Sequence, residues 1–149
     1  MIVISKLPVF SIQKEEVVQI FNQQLENCGV EYFDYFLLHN MNIHHYNSVV
    51  KSCKMFEHMQ EWKKAGKIKH IAISFHDSAD VLDLILSEHP EIEAVQIALN
   101  YYDWNSAFIQ AKACFEVIRK HQKQVIIMEP VKGGNLVNLP KEEKVVYDK

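Results

Sequence analysis

The chain has 149 residues, about one domain, and 16 Lys and Arg against 19 Asp and Glu give a net charge of −3 with His neutral. This small, mixed charge predicts no nucleic-acid partner, because phosphate-binding proteins concentrate an excess of Lys and Arg. The 4 Gly and 4 Pro residues are too few for a collagen-like or turn-dense all-β protein.

Cysteine spacing and hydropathy favour a reduced, intracellular compartment. Cys28, Cys53 and Cys114 form no CxxC pair, which argues against a disulfide framework or a zinc site. The apolar start at residues 2–4 is far shorter than the roughly 7–15 residues of a secretory segment, and no run approaches the ~18 residues of a membrane span. We therefore expect a cytoplasmic protein without a membrane partner.

Five short β-rich segments alternate with longer helical patterns. The strands are predicted to begin near residues 2, 33, 69, 94 and 125. The helical patterns run from Ser11 to Gly29, from about Val49 to Ala65, from Asp77 or Ser78 to Pro90, and from about Ser106 to His121. Residues 40–48 are polar and irregular. One helix in each interval predicts a run of βα units with parallel strands.

Two parallel architectures fit this order of elements, a doubly wound sheet and part of a (β/α)8 barrel. The doubly wound fold needs GxGxxG after its first strand, and residues 5–10 contain no glycine. A complete barrel takes about 250 residues. We therefore predict a partial (β/α)8 TIM barrel over residues 1–140, a charged tail over 141–149, and self-association through the open sheet edges.

Polar side chains follow the predicted strands, where parallel βα folds place their functional groups. They combine a cation, imidazoles and hydrogen-bonding groups, and they include no pair of carboxylates suited to glycosidic cleavage. These residues are Lys6, His39, Ser74 with Phe75 and His76, Gln96 with Asn100, and Glu129 with Gly133 and Gly134.

Five segments resemble, in order, strands of the aldo-keto reductases. The matching segments are Val3–Pro8 for the third strand, Phe33–His39 for the fourth, Trp62–Ser74 for the fifth, Ala94–Tyr101 for the sixth and Met128–Gly134 for the seventh strand with its loop. The Ser-Phe-His run at 74–76 and the Met-Glu-Pro-Val-Lys-Gly-Gly run at 128–134 look most like the bacterial subgroup that carries an iron–sulfur module after its barrel.

The resemblance implies strands three to seven of an eight-stranded barrel that reduces small carbonyl compounds with hydride from NADPH or NADH. The family uses an Asp, Tyr, Lys and His tetrad, in which Lys, supported by Asp, lowers the pKa of the proton-donating Tyr. Lys6 matches the lysine and His39 the histidine. The resemblance places the Asp and Tyr ahead of residue 1, so we expect residues 1–149 alone to be inactive.

The resemblance also implies contacts to the cofactor. Ser74 and Gln96 match positions that bind the nicotinamide carboxamide, and Gly133 lies in a cofactor-binding loop. Met128 stands where many members have a ring-stacking aromatic residue, and Phe75 stands where many have Asn. The eighth strand and its adenosine-phosphate loop would follow residue 149, and an iron–sulfur cluster is expected only in a longer parent protein.

Simpler interpretations remain open for the same residues. Lys6 fits a solvated strand-end lysine, Ser74 and Gln96 fit polar strand-end caps, and Gly133 fits a tight turn. For the whole chain, the alternative function is a non-catalytic module for nucleotide sensing or protein association, or a gene remnant. A metal-dependent hydrolase barrel using the histidines at 39, 44 and 45 is disfavoured, because no carboxylate accompanies them, and we expect no metal.

Overall fold

The computed structural model describes residues 1–137. The predicted tail over 141–149 and the predicted end of the domain at 140 lie outside the described residues. Five strands form one sheet, and they are β1 (Ile4–Pro8), β2 (Phe33–Met41), β3 (Ile68–Phe75), β4 (Ala94–Ala98) and β5 (Gln124–Met128).

The strands lie side by side in chain order, and each neighbouring pair is parallel. Sequential parallel strands joined by helices are the arrangement of a (β/α)8 barrel, whereas a doubly wound sheet reverses its strand order. The prediction of a partial barrel is therefore confirmed. Within residues 1–137, β1 and β5 each have a neighbouring strand on one side only.

Helices cover one face of the sheet. They are α1 (Val17–Cys28), the short α2 (Ile43–His45), α3 (Met55–Lys64), α4 (Ala79–Glu88) and α5 (Ala111–Lys120). None of these described helices is long and apolar enough to cross a membrane. The main hydrophobic core lies between the helices and this face.

The sequence predicts that eight apolar residues of the strands are mostly buried, and they are Val3, Phe36, Leu38, Ile71, Ile73, Val95, Ile97 and Ile127. Six of them lie in this core. The confirmed ones are Phe36, Leu38, Ile71, Ile73, Val95 and Ile97. Two of the predicted residues are not fully buried, because they lie on the outermost described strand or just before it. Val3 is half-buried ahead of β1, and Ile127 on β5 is 53% exposed.

The start of α1 differs from the predicted cap at Ser11. The backbone is still extended at Gln13, and this extended path carries the Ile12 side chain into the core, where it is buried. The Gln13 backbone N–H donates to Glu16 Oε2 at 2.8 Å, and a 3-10 turn over Lys14–Glu16 leads into the helix. The physical reason for the shift is therefore the burial of Ile12.

The end of α1 at Gly29 is as predicted. Gly29 has φ +61°, and its N–H donates to Glu26 O at 3.0 Å. A Cβ at this position would meet no atom within 4 Å, so any cost of adding one is backbone strain alone. We expect Gly29→Ala to lower the free energy of unfolding by about 1 kcal/mol, measured by urea titration. Gly29→Asn is the control, because Asn tolerates left-handed backbone and should cost less.

The segment between β2 and α3 was predicted as a polar loop over 40–48 followed by a helix from Val49. Instead, α2 continues into a π-helical turn over Tyr46–Val50, and left-handed Lys54 (φ 51°) separates that turn from α3. Tyr46 is fully buried, its hydroxyl donates to Glu88, and its oxygen lies 2.9 Å from His89 Nε2. Polar neighbours in the sequence hid this buried aromatic residue.

The last predicted helix, from Ser106, begins later in the structure. Gln110 is left-handed (φ 55°), so α5 starts at Ala111. The Gln110 side-chain oxygen accepts a hydrogen bond from the Ala79 N–H at 3.1 Å, which satisfies a free donor at the start of α4. A contact between two helices thus replaces the first turn of the predicted helix.

Candidate functional site

The predicted site residues share the sheet face opposite the helices. Side chains alternate along a strand, and paired residues of neighbouring strands point the same way. The register pairs Lys6 with Leu37, Leu37 with Ala72, Ala72 with Ala94, Ser74 with Gln96, and Ala98 with Met128. This places Lys6, His39, Ser74, Gln96 and Met128 on one face, towards the carboxyl ends of their strands.

Lys6 and His39 lie inside their strands, although both were predicted to follow them. The strand β1 extends to Pro8 and β2 extends to Met41. Pro8 pairs with His39, so Lys6 lies two register positions before His39, on the same face of the neighbouring strand. Their predicted proximity at one end of the sheet is therefore observed.

His39 is held in a neutral form by its surroundings. Partial burial lowers its pKa below the ordinary 6.5, and the nearby Lys6 ammonium lowers it further. The imidazole packs edge-on against Phe10, with ring centroids 5.8 Å apart. A neutral imidazole keeps one N–H donor and one acceptor nitrogen, which suits it to hydrogen-bond a polar ligand.

His76 joins this cluster, although no role was assigned to it from the sequence. Its Nε2 lies 3.2 Å from Ser74 Oγ. His76 is exposed, but partial desolvation of its ring lowers its pKa first, the electrostatic influence of His39 and Lys6 lowers it further, and Glu129 acts in the opposite direction. The signal in the sequence was the two-residue spacing from Ser74, which places both side chains on one face of an extended chain.

These two histidines predict a loss of stability in mild acid. Both pKa values are lowered from 6.5 by folding, so the unfolded chain takes up protons first as the pH falls. The free energy of unfolding should therefore fall as the pH drops through about 6.5. Urea titrations at about pH 7.5 and about pH 5.5 should show a smaller pH dependence for His39→Asn combined with His76→Asn than for the wild type. An equal dependence in both proteins would contradict this assignment.

Gln96 presents an unsatisfied acceptor beside Ser74. The two residues are register partners on β3 and β4, and Ser74 is fully buried. The Gln96 Oε1 atom is buried and has no hydrogen-bond partner. Leaving a buried acceptor unpaired costs about 1–3 kcal/mol, so this atom marks a place where a ligand donor would be favourable.

The loops after β4 and β5 are tied together by a network that the sequence did not reveal. Asn100 Nδ2 donates to Asp103 Oδ2 at 3.0 Å and to Glu129 O at 3.3 Å. Lys132 Nζ donates to the other Asp103 oxygen at 2.6 Å. The pKa of the Asp103 carboxyl is lowered most by the hydrogen bond from Lys132 and next by the one from Asn100. Gly133 (φ +62°) lies next to Lys132 and is exposed, so the network holds the predicted glycine turn beside the loop after β4.

A cavity of about 450 Å³ lies beside the cluster rather than over it. His76 and Ala98 line it, together with Phe75 and Ile97 on the helix side of the sheet and Phe108 in the segment before α5. Lys6 and His39 are not among its lining residues. His76 therefore borders both the cavity and the strand-end cluster.

The metal-site alternative finds no support in the described part of the chain. Within residues 1–137, no group of three or more His, Cys, Asp or Glu side chains is placed to hold a metal ion. The His45 Nδ1 lies 2.9 Å from Asn40 O, so this nitrogen already has a backbone partner.

A parallel sheet in chain order, with helices on one face and polar groups at the strand ends, defines this chain as part of a (β/α)8-barrel protein. The model of the aldo/keto reductase family matches residues 1–148, and the chain belongs to that family. The resemblance of the five segments is thereby confirmed. No curated protein sequence matches the chain.

Solved structures of aldo-keto reductases share the fold. An aldo-keto reductase enzyme from a Medee basin deep-sea metagenome library is 19% identical, with a TM-score of 0.73. The match covers 100% of this chain and 53% of the chain of that enzyme. An aldo/keto reductase from Brucella melitensis is 19% identical, with a TM-score of 0.75, and the match covers 99% of this chain and 53% of that protein. An aldo/keto reductase from Klebsiella pneumoniae, solved with NADP and acetate, is 15% identical, with a TM-score of 0.66. The match covers 91% of this chain and 45% of that protein. The chain thus spans about half the length of these proteins.

Proposed function

We propose that this chain forms the cofactor-facing and carbonyl-facing strands of an oxidoreductase that reduces a small carbonyl compound with NADPH or NADH. The observation that carries the proposal is the unpartnered Gln96 Oε1 beside Ser74. A nicotinamide carboxamide offers the N–H donor that this atom lacks. The Klebsiella pneumoniae relative, which was solved with NADP, supports the same cofactor class.

Four residues of this chain would hold the cofactor. Gln96 Oε1 accepts from the carboxamide NH2, and the Ser74 hydroxyl makes the second polar contact. Met128, which pairs with Ala98 on the same face, packs its thioether against the ring. Gly133, which has no side chain, leaves room for the cofactor in the loop after β5. The bound cofactor supplies hydride.

Lys6 and His39 act on the carbonyl side. The neutral His39 donates an N–H to the carbonyl oxygen, which orients the carbonyl and polarises it as negative charge develops. The Lys6 ammonium lowers the pKa of the neighbouring tyrosine that the family uses as proton donor. In this proposal the tyrosine and its supporting Asp come from sequence outside residues 1–149.

We also propose that copies of residues 1–149 associate through the sheet edges. Within the described residues, β1 and β5 each offer unpaired backbone groups, and Ile4 on β1 and Ile127 on β5 are 45% and 53% exposed. Such edges are templates for pairing with another chain. Size-exclusion chromatography with light scattering should give a mass above 17.4 kDa. A stable monomer at micromolar concentration would contradict the proposal.

The cofactor proposal is tested by ligand-observed NMR, which detects weak binding. Saturation of the protein should transfer to the nicotinamide ring protons of NADPH or NADH. Gln96→Met removes the acceptor at similar volume, so it should weaken binding about three- to tenfold, the value of one hydrogen bond.

Gln124→Met is the matched control, because Gln124 lies on the same sheet face at the opposite end of β5, where it accepts from Tyr35 at 2.8 Å. It should leave cofactor binding unchanged. Absence of any transfer from the wild-type chain to either cofactor would refute the proposed function. Equal weakening by both variants would remove Gln96 from the cofactor site.

A further inference from the structure

Ser74 and His76 form a pair at the end of β3 that the family resemblance does not explain. The Ser74 hydroxyl is fully buried, and its oxygen lies 3.2 Å from His76 Nε2. Between them, Phe75 is 3% exposed and belongs to the core on the helix side. Phe75 therefore does not reach the ligand face, although many family members have an Asn at its place.

The main chain of His76 continues the pairing of β3 with β2. Its backbone N–H donates to Met41 O at 2.9 Å, which extends the pairing of β2 and β3 by one residue. The charged and titratable groups that face the imidazole are Lys6 from β1, His39 from β2 and Glu129 after β5. Desolvation, and then the electrostatic influence of His39 and Lys6, favours the neutral imidazole of His76, which has one donor and one acceptor nitrogen.

We propose that His76 is a positioning residue that sets the direction of the Ser74 hydroxyl for the carboxamide of a nicotinamide cofactor. A serine hydroxyl rotates freely unless a partner holds it. If the Ser74 hydroxyl donates its hydrogen to His76 Nε2, a lone pair of its oxygen is left to accept from the ligand. If the oxygen instead accepts from Nε2, the hydroxyl hydrogen is left to be donated to the ligand. Gln96 Oε1 is the second contact to the carboxamide. This inference rests on the proposed function.

The test compares two ligands that differ in the nicotinamide. His76→Leu should weaken NADPH binding about three- to tenfold, as expected for one hydrogen bond, and should leave binding of 2′-phospho-ADP-ribose, which has no nicotinamide, unchanged. His76→Gln, which restores a hydrogen-bonding group near Nε2, should recover most of the affinity. His58→Leu is the control, since His58 lies on α3, in the helix layer on the opposite face of the sheet.

A double-mutant cycle completes the test. If His76 acts through Ser74, then Ser74→Ala and His76→Leu should each weaken NADPH binding, and the double variant should be no weaker than the worse single variant. Circular dichroism of each variant confirms that it folds. Additive losses, or equal weakening of both ligands, would assign His76 a general structural role and overturn the inference.

Two further outcomes separate this inference from the proposed function. Normal NADPH binding by His76→Leu, beside a wild-type chain that binds, overturns the positioning role alone. A wild-type chain that binds neither NADPH nor NADH overturns the proposed function and the positioning role together.

Discussion

Replacing Phe21 with alanine is expected to lower the free energy of unfolding by about 3–5 kcal/mol. Phe21 on α1 is 1% exposed and stacks on Trp62 of α3, with ring centroids 3.8 Å apart and planes 6° from parallel. It also meets Phe36 of β2 edge-on at 5.0 Å. The substitution removes the contact that joins two helices to the sheet, and a domain of this size has a total stability of only about 5–15 kcal/mol.

Val18→Ala is the matched control for this prediction. Val18 is on the same helix and is 43% exposed, so its loss should change the free energy of unfolding by no more than about 0.5 kcal/mol. Urea titration followed by tryptophan fluorescence and by circular dichroism measures both variants. A loss at Phe21 below about 1 kcal/mol would show that this aromatic cluster does not dominate the packing of α1.

A polypeptide of residues 1–149 is expected to show little or no oxidation of NADPH or NADH with simple aldehydes. Hydride transfer to a carbonyl builds negative charge on oxygen, which needs a proton from a positioned acid. The family's tyrosine has no counterpart among the matched segments, and the loss of general acid catalysis costs about 10²–10⁴-fold in rate. The decrease of absorbance at the reduced-nicotinamide band measures this rate.

Two measurements make this result informative. Ligand-observed NMR shows whether the polypeptide binds the cofactor. It therefore distinguishes an inactive polypeptide that binds NADPH or NADH from one that does not bind them. Lys6→Met and His39→Asn should leave the residual rate unchanged, because without the acid neither group completes a catalytic set. Turnover at ordinary enzymatic rates by a clean monomer would contradict the prediction, and Tyr101→Phe and His76→Leu would then identify the residue that supplies the proton.

The order of the fold was predictable from the sequence because it depends on local patterns. Alternating β-rich and helical segments required parallel strands, and the missing glycine motif excluded the doubly wound alternative. Boundaries were less predictable where a distant contact decides them. Ser11 is not a cap because Ile12 reaches the core, and the helix predicted from Ser106 begins at Ala111 because Gln110 contacts the start of α4.

Several sequence-based hypotheses stay predictions. These are the reduced, cytoplasmic location, the catalytic roles of Lys6 and His39, the cofactor contacts of Ser74, Gln96, Met128 and Gly133, and an iron–sulfur cluster in a longer parent protein.

The sequence by itself determined the family and the parallel strand order, and it predicted that Lys6, His39, Ser74, Gln96 and Met128 lie towards the carboxyl ends of their strands. Those properties follow from segment order and from local hydrophobic patterns. Only the tertiary structure decided that His76 pairs with Ser74, that Gln96 Oε1 lacks a partner, and that Lys132 ties the two loops through Asp103. Hydrogen bonds between loops and strands depend on packing across the fold, which no local pattern encodes.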